Sequence, residues 1–221
     1  MTTTAVRLTS TDLHVLDLGD TENRFSPTWL DDVHAALDAA LASPAPLVVT
    51  ATGKFFSNGL DLDWLGQNPD SFGDYVVRVQ ELFARLLTLP LPTVAAINGH
   101  AFGAGAMLAI ACDWRVMRED RGYFCFPEVD IDIPFTSGMA ALIQAKLTPR
   151  AAVDSMTTGR RFGGPDALAA GIVDAVASES DLVERAGGFV AHLAGKNPDT
   201  IAAIKATMFA DAATALRSHD S

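Results

Sequence analysis

One stretch constrains the fold of this chain more than any other. It runs from Pro92 to Pro134 and reads PTVAAINGHAFGAGAMLAIACDWRVMREDRGYFCFPEVDIDIP. Its first apolar run, Thr93 to Ile97, is short and unbroken, the pattern of a buried strand. Asn98 to Gly105 then carries three glycines and predicts a turn. That turn opens a helix of small residues ending near Cys112. A second strand, Trp114 to Met117, follows, and a third apolar segment ends at Phe126-Pro127-Glu128. Two features of this stretch can do chemistry. The start of the Gly103–Cys112 helix leaves backbone N–H groups without intrahelical partners. Glu128 is a single carboxylate set among apolar residues.

Composition supports a folded globule. Of 221 residues, 49% are hydrophobic and 19% charged, which argues against disorder and supplies the core of one domain over residues 1–221. The formal net charge of −11 argues against nucleic acid as the main partner. It leaves room for an anionic ligand held by backbone dipoles and a few lysines. Cys112 and Cys125 both lie in apolar runs, as buried thiols do, and fit a reduced, cytoplasmic setting. The N-terminus, MTTTAVRLTS, lacks the charged head and apolar run of a signal peptide. No segment offers the roughly 18 apolar residues of a membrane span. The C-terminal SHDS is no peroxisomal address.

Taken in order, residues 5–9 and 13–18 alternate as two strands joined at Ser10-Thr11-Asp12. Ser26-Pro27 starts a helix, with serine as cap and proline first. Trp29, Leu30, Val33, Leu37 and Leu41 give that helix an apolar face. Leu47 to Thr50 predicts a strand covered on both sides. Gly53-Lys54 and Ser57-Asn58-Gly59 are turns around apolar Phe55-Phe56, and Leu60-Asp61-Leu62 begins a helical segment. Pro69 to Leu89 predicts a long amphipathic helix, its core face carrying Phe72, Val76, Val79, Phe83, Leu86 and Leu87. Pro90 and Pro92 end it. Helices are then expected over Ser137–Lys146, from Thr148-Pro149 through Met156 to a stop at Gly159, and from Gly164 to Ala170. Ile172 to Val176 predicts a last strand, and helices over about Ser178–Ala194 and Pro198–Leu216 close the chain. Paired strands, then alternation, then helices define an α/β fold with a helical C-terminal part.

Four motifs carry a resemblance to a known family. They are FFSNGLDL at 55–62, PTVAAINGHAFGAGAMLAIACDWRVM at 92–117, FPEVDI at 126–131 and TTGRRFGGPDALAAGIVDAV at 157–176. In this order and spacing they resemble the enoyl-CoA hydratase/isomerase, or crotonase, superfamily, over about Leu16 to Met208. The resemblance implies a crotonase-like spiral of ββα units with two roughly perpendicular sheets, over about residues 1–176. It implies C-terminal helices, about 177–221, that assemble homotrimers or dimers of trimers. The implied substrate is an acyl-CoA thioester, with coenzyme A part of the substrate and no separate cofactor. Two backbone N–H groups of the family hold an enolate-like oxyanion, and the matching residues are Leu60 and Ala104, both expected at helix N-termini. Substrate contacts fall by the same correspondence on Asn58, Gly59, Asp61, Gly103, Met107 and Phe126. Arg24, Lys54 and Lys205 are candidates for the coenzyme A phosphates, with plain solvation as the alternative.

Two positions decide the chemistry that the resemblance implies. Hydratases of this superfamily use two glutamates; the matching residues here are Met107 and Glu128. One carboxylate suffices for a Δ3,Δ2-enoyl-CoA isomerase, because a single base can move a proton from C2 to C4 with no water to activate. Such isomerases resemble this chain in pairing an apolar first position with a lone glutamate, and in the FPEVDIDIPF run. Phe124, Phe126, Ile131 and Phe135 are expected to crowd Glu128 and raise its pKa. From composition alone, the favoured reading of Glu128 is a surface carboxylate on a loop after proline. Alternatives on the same scaffold are weak 2-enoyl-CoA hydration, thioester hydrolysis and decarboxylation, or acyl-CoA binding without turnover. Asp130 and Asp132 are solvated carboxylates or auxiliary acids for one of these. His100 belongs to the glycine-rich turn. His14, His34, His192 and His219 have no metal-ligand spacing, and the mechanism needs no metal.

Overall fold

The computed structural model describes residues 6–10 and 12–218. Expectations for residues 1–5, for Thr11 and for 219–221, His219 among them, lie outside the described residues. The first strands, β1 (Arg7–Thr9) and β2 (His14–Asp17), pair antiparallel at one edge of the larger of two sheets. Helix α1 (Pro27–Ala42) follows, capped by Ser26, whose Oγ accepts from the Trp29 N–H at 3.2 Å.

The chain then repeats one move. A strand enters the larger sheet, the next enters the smaller sheet, and helix follows. The first round is β3 (Leu47–Thr50), β4 (Phe55–Ser57), α2 (Leu62–Gln67) and α3 (Phe72–Leu87). The second is β5 (Thr93–Ile97), β6 (His100–Phe102) and α4 (Ala104–Ala111). The third is β7 (Trp114–Arg118), β8 (Phe124–Cys125) and α5 (Ser137–Lys146). Helices α6 (Pro149–Thr158) and α7 (Gly164–Ala169) lead to β9 (Ala175–Ala177), and α8 (Leu182–Val190), α9 (Pro198–Met208) and α10 (Ala210–Arg217) complete the chain. The larger sheet runs β1-β2-β3-β5-β7-β9, parallel from β2 onward; the smaller runs β4-β6-β8, all parallel. This is the expected spiral of ββα units.

Strand periodicity explains the unbroken apolar runs. In β3, Leu47 and Val49 face the main core, while Val48 faces the opposite side with Val94, Ala96 and Val116. There α8 covers them with Leu182, Ala186 and Val190. With both faces covered, no alternation survives in the sequence. Cys112 and Cys125 are buried free thiols. No helix among the described residues is long and apolar enough to cross a membrane.

Several boundaries differ from the expected ones. The Asn98–Gly105 turn contains β6, which gains its hydrogen bonds from β4 and β8 rather than from any local pattern. Pro69–Ser71 is a 3-10 turn, and Phe72, at the very start of α3, is 55% exposed instead of facing the core. The last strand begins at Ala175, because the N–H groups of Ile172 and Val173 both turn back to the Ala167 carbonyl. Ser178 and Asp181 form a capping turn, which delays α8 to Leu182. The final expected helix breaks at Phe209, whose φ of −115° and ψ of 23° leave the helical region.

Candidate active site

The site is assembled around the turn that follows β4. Ser57 Oγ donates to the Asn23 carbonyl at 2.7 Å and accepts from the Gly59 N–H at 3.1 Å. The Asn58 N–H donates to the Glu22 carbonyl at 2.8 Å, and the Asp61 N–H to the Tyr75 hydroxyl at 2.9 Å. The Asn23 side chain donates to the carbonyls of Phe55 and Phe56 at 3.2 and 3.1 Å. The amides on both sides of Leu60 are therefore engaged. The Leu60 N–H itself has no partner among the described residues.

Glycine lets this turn lie against the start of α4. Gly59 has φ +78°, and a Cβ there would sit 2.7 Å from the Phe102 carbonyl oxygen and 3.0 Å from the Ala104 nitrogen. A Cβ on Gly105 would sit 2.3 Å from the Ser57 carbonyl oxygen. Ala104 is the first residue of α4, and its N–H also has no partner among the described residues. The helix dipole adds to its positive end. Leu60 differs from expectation here. It precedes Asp61, the cap of the six-residue α2, so only Ala104 sits at a helix N-terminus.

Glu128 arrives from β8. The N–H groups of Asp130 and Ile131 both donate to the Pro127 carbonyl, and the Ile133 N–H donates to the Glu128 carbonyl at 3.1 Å. This tight turn seats the Glu128 side chain over Gly103, where a Cβ would lie 3.3 Å from Oε1. Oε2 is buried with no partner among the described residues. Burial pushes the carboxyl up to about 7, against the smaller opposing effect of its own backbone N–H. Phe126 is fully buried next to it, edge-on to Phe124 and Phe135 at 5.2 and 5.9 Å.

Leu60, Ala104 and Glu128 line one cavity of about 320 Å³. Its apolar wall is Leu62, Phe102, Ile131 and Ile133; Gly103 and Pro127 complete that side, and Asn58, Arg24 and Asp63 supply polar groups. Of the expected substrate contacts, Asn58 and Gly103 lie on the wall, and Gly59 is the spacer that brings Leu60 close to Ala104. Asp61, Met107 and Phe126 do not line it. The Asp61 carboxylate caps α2 by accepting from the Trp64 N–H at 3.1 Å, and Met107 is a core residue, 1% exposed.

The three cations separate. Arg24 lies on the cavity, in ion pairs of 2.5 Å with both Glu22 and Asp63. Lys54 is exposed, 5.2 Å from the centre of the Phe55 ring and off the cavity. Lys205 is corrected outright: its ammonium is buried and donates to the Leu91 carbonyl at 2.8 Å and to Asp113 at 2.7 Å, so it is not free for a phosphate. Asp130 and Asp132 also stay off the cavity, with Asp130 packed against Gly159. His100 packs at tilted angles among the rings of Phe55, Phe102 and Tyr123, and burial lowers its pKa. Asn23 and Tyr75 hold the Leu60 turn in place, yet no local pattern marks either; Ser57, in the turn motif, was the only visible sign of this scaffold.

Fold and geometry define a ββα-spiral protein with two unpaired amides and one half-buried carboxylate on a common cavity. The chain belongs to the enoyl-CoA hydratase/isomerase family, which it matches over residues 14–219. It is 38% identical to the peroxisomal enoyl-CoA delta isomerase 2 of Arabidopsis thaliana, over 77% of this chain and 75% of that one. Its structure is similar to that of a probable enoyl-CoA hydratase from Mycobacterium tuberculosis, with TM-score 0.89 and 32% identity, covering 96% of this chain and 91% of that one. It is also similar to human mitochondrial delta3-delta2-enoyl-CoA isomerase, with TM-score 0.87 and 25% identity, covering 95% and 84%.

Proposed function

We propose that this protein is a Δ3,Δ2-enoyl-CoA isomerase acting on acyl-CoA thioesters. The observation that carries the reading is Glu128: a half-buried carboxyl whose Oε2 has no partner among the described residues, on the same cavity as the free N–H groups of Leu60 and Ala104. The thioester oxygen accepts from those two amides, which oppose the negative charge that develops when C2 loses a proton. In a comparable site, one such donor contributes roughly 2.7–4 kcal/mol. Glu128 removes the C2 proton, and the electrons delocalise over the dienolate. The same carboxyl then returns a proton at C4, and the double bond has moved from C3–C4 to C2–C3. A pKa of about 7 suits a group that must both take and give a proton near neutrality.

Isomerisation is favoured over hydration by what surrounds the acid. Met107 occupies the position of the hydratase's first glutamate and is packed in the core. The other acid lining the cavity, Asp63, is ion-paired with Arg24 and its side chain is 81% exposed. Among the described residues, no second buried carboxylate lines the cavity to activate water. The names of the Arabidopsis and human relatives support the same reading. Coenzyme A enters as part of the substrate, and the reaction calls for no separate cofactor. A homotrimer or dimer of trimers goes with this reading, supported by exposed Ile204 and Met208 on the C-terminal helix α9; sedimentation equilibrium tests it, and a monomer refutes it. A cytoplasmic location is supported by the two free thiols.

The test is turnover of 3-enoyl-CoA and 2-enoyl-CoA, followed by mass spectrometry and by absorbance of the conjugated thioester. Isomerisation of the 3-enoyl substrate leaves mass unchanged and creates conjugation. A product heavier by one water, or no reaction with any 3-enoyl thioester, overturns the proposal.

A further inference from the structure

Leu60 and Ala104 both line the cavity with free N–H groups, and different devices aim them. The Ala104 N–H is the first of α4, so the helix itself sets its direction. The Leu60 N–H lies outside any helix and follows a glycine with φ +78°. We propose that Phe25 is a positioning residue for the Leu60 donor: its main-chain N–H holds the Gly59–Leu60 peptide so that the Leu60 N–H points into the cavity. The inference rests on the isomerase reading of this site.

A trans peptide is planar, and its C=O and N–H point in opposite directions. The Gly59–Leu60 peptide is trans, and its carbonyl accepts from the Phe25 N–H at 2.9 Å. Whatever fixes that carbonyl therefore fixes the Leu60 N–H. Glycine alone does not fix it, since without a Cβ its ψ is weakly restrained. A plane turned over would present the Gly59 carbonyl oxygen to the cavity and repel the oxyanion. The neighbouring planes have their own holds. The Gly59 N–H donates to Ser57 Oγ at 3.1 Å, and the Asp61 N–H to the Tyr75 hydroxyl at 2.9 Å. Among the described residues, the Phe25 N–H is the one group bonded to the plane between them.

Phe25 is itself anchored. Its ring is fully buried, stacked on Trp29 of α1 with centroids 4.5 Å apart and tilted against Phe83 of α3 at 6.1 Å. The segment 22–25 also bonds the turn at other points. The Glu22 carbonyl accepts from the Asn58 N–H at 2.8 Å, and the Asn23 carbonyl from Ser57 Oγ at 2.7 Å. Loss of the Phe25 N–H therefore leaves segment and turn together and frees one peptide plane.

The test replaces Phe25 by phenyllactic acid through nonsense suppression, which exchanges the N–H for an ester oxygen and keeps the ring. The same exchange at Trp29, whose N–H caps α1 through Ser26 Oγ, is the structural control. Circular dichroism verifies the fold of both. On a 3-enoyl-CoA substrate the Phe25 ester is expected to lose at least about tenfold in kcat with KM within about threefold, whereas the Trp29 ester stays within about twofold of wild type in both. Infrared difference spectra of bound 2-enoyl-CoA, isotope-labelled at the thioester carbonyl, give a second reading. Two hydrogen bonds lower the carbonyl frequency, and the Phe25 ester alone loses part of that lowering. A Phe25 ester within about twofold of wild type in kcat, or equal losses in the two esters, overturns the proposal. A wild-type protein that isomerises no 3-enoyl thioester and leaves the carbonyl frequency as it is in water overturns the isomerase reading instead, so the two failures are told apart.

Discussion

Glu128 weakens the fold that holds it. Its carboxyl pKa rises from 4.5 to about 7 because the charged form is desolvated. A folded pKa above the unfolded one means that the protonated form is preferred in the native state. That stabilisation is complete below about pH 4.5 and is lost as pH rises through about 7. Glu128→Gln cannot ionise, so its stability relative to wild type should increase by roughly 2–3 kcal/mol between pH 4 and pH 8. Urea unfolding at the two pH values checks this, and a constant gap contradicts it. In the native enzyme the same ionisation should appear in kcat/KM, which is expected to rise with pH through about 7 and then flatten, as a base requires.

At the scale of elements, the start of α4 is the part most sensitive to backbone change. Proline is tolerated at the first helical position, where its missing N–H has no intrahelical role. Ala104→Pro therefore removes one of the two proposed oxyanion donors while keeping the helix, and kcat should fall about 10²–10³-fold with little loss of helicity. Unchanged kcat in a folded variant would exclude the Ala104 amide from the reaction. Helix α9 poses a different question, because Lys205 is its one buried residue. Lys205→Ala leaves Asp113 with a charge but no cation and should cost roughly 3 kcal/mol, read by thermal unfolding. KM for acyl-CoA should stay within about twofold; a large rise would return Lys205 to the phosphates. The elements also show where sequence stops being informative. β3 and β5 were legible because burial on both faces writes a nearly unbroken apolar run, whereas β7, WRVMR, carries two buried arginines. β6 was not, because His100, Ala101 and Phe102 become a strand only when β4 and β8 supply partners from distant positions.

Across the whole molecule, the site joins segments that are far apart in the chain: the turn at 57–60, the helix start at 103–104, and the acid at 128. Candidates at these positions came from the resemblance of four motifs in order; the glycine turns and the proline-glutamate pair by themselves also fit plain connections and a surface carboxylate. Their supports were not legible, since Asn23 and Tyr75 act through hydrogen bonds to residues 32 to 34 and 14 positions away. Lys205 misled for the same reason: a lysine on an amphipathic helix looks solvated until its partner, 92 positions away, is known. The two-sheet spiral brings these pieces together, and the central claim is that it does so for one carboxylate acting alone. The most direct measurement is kcat of Glu128→Gln on a 3-enoyl-CoA substrate, with folding verified by circular dichroism. A loss of at least about 10³-fold is predicted, since the proposed proton carrier has been removed; activity within about tenfold of wild type would contradict the account.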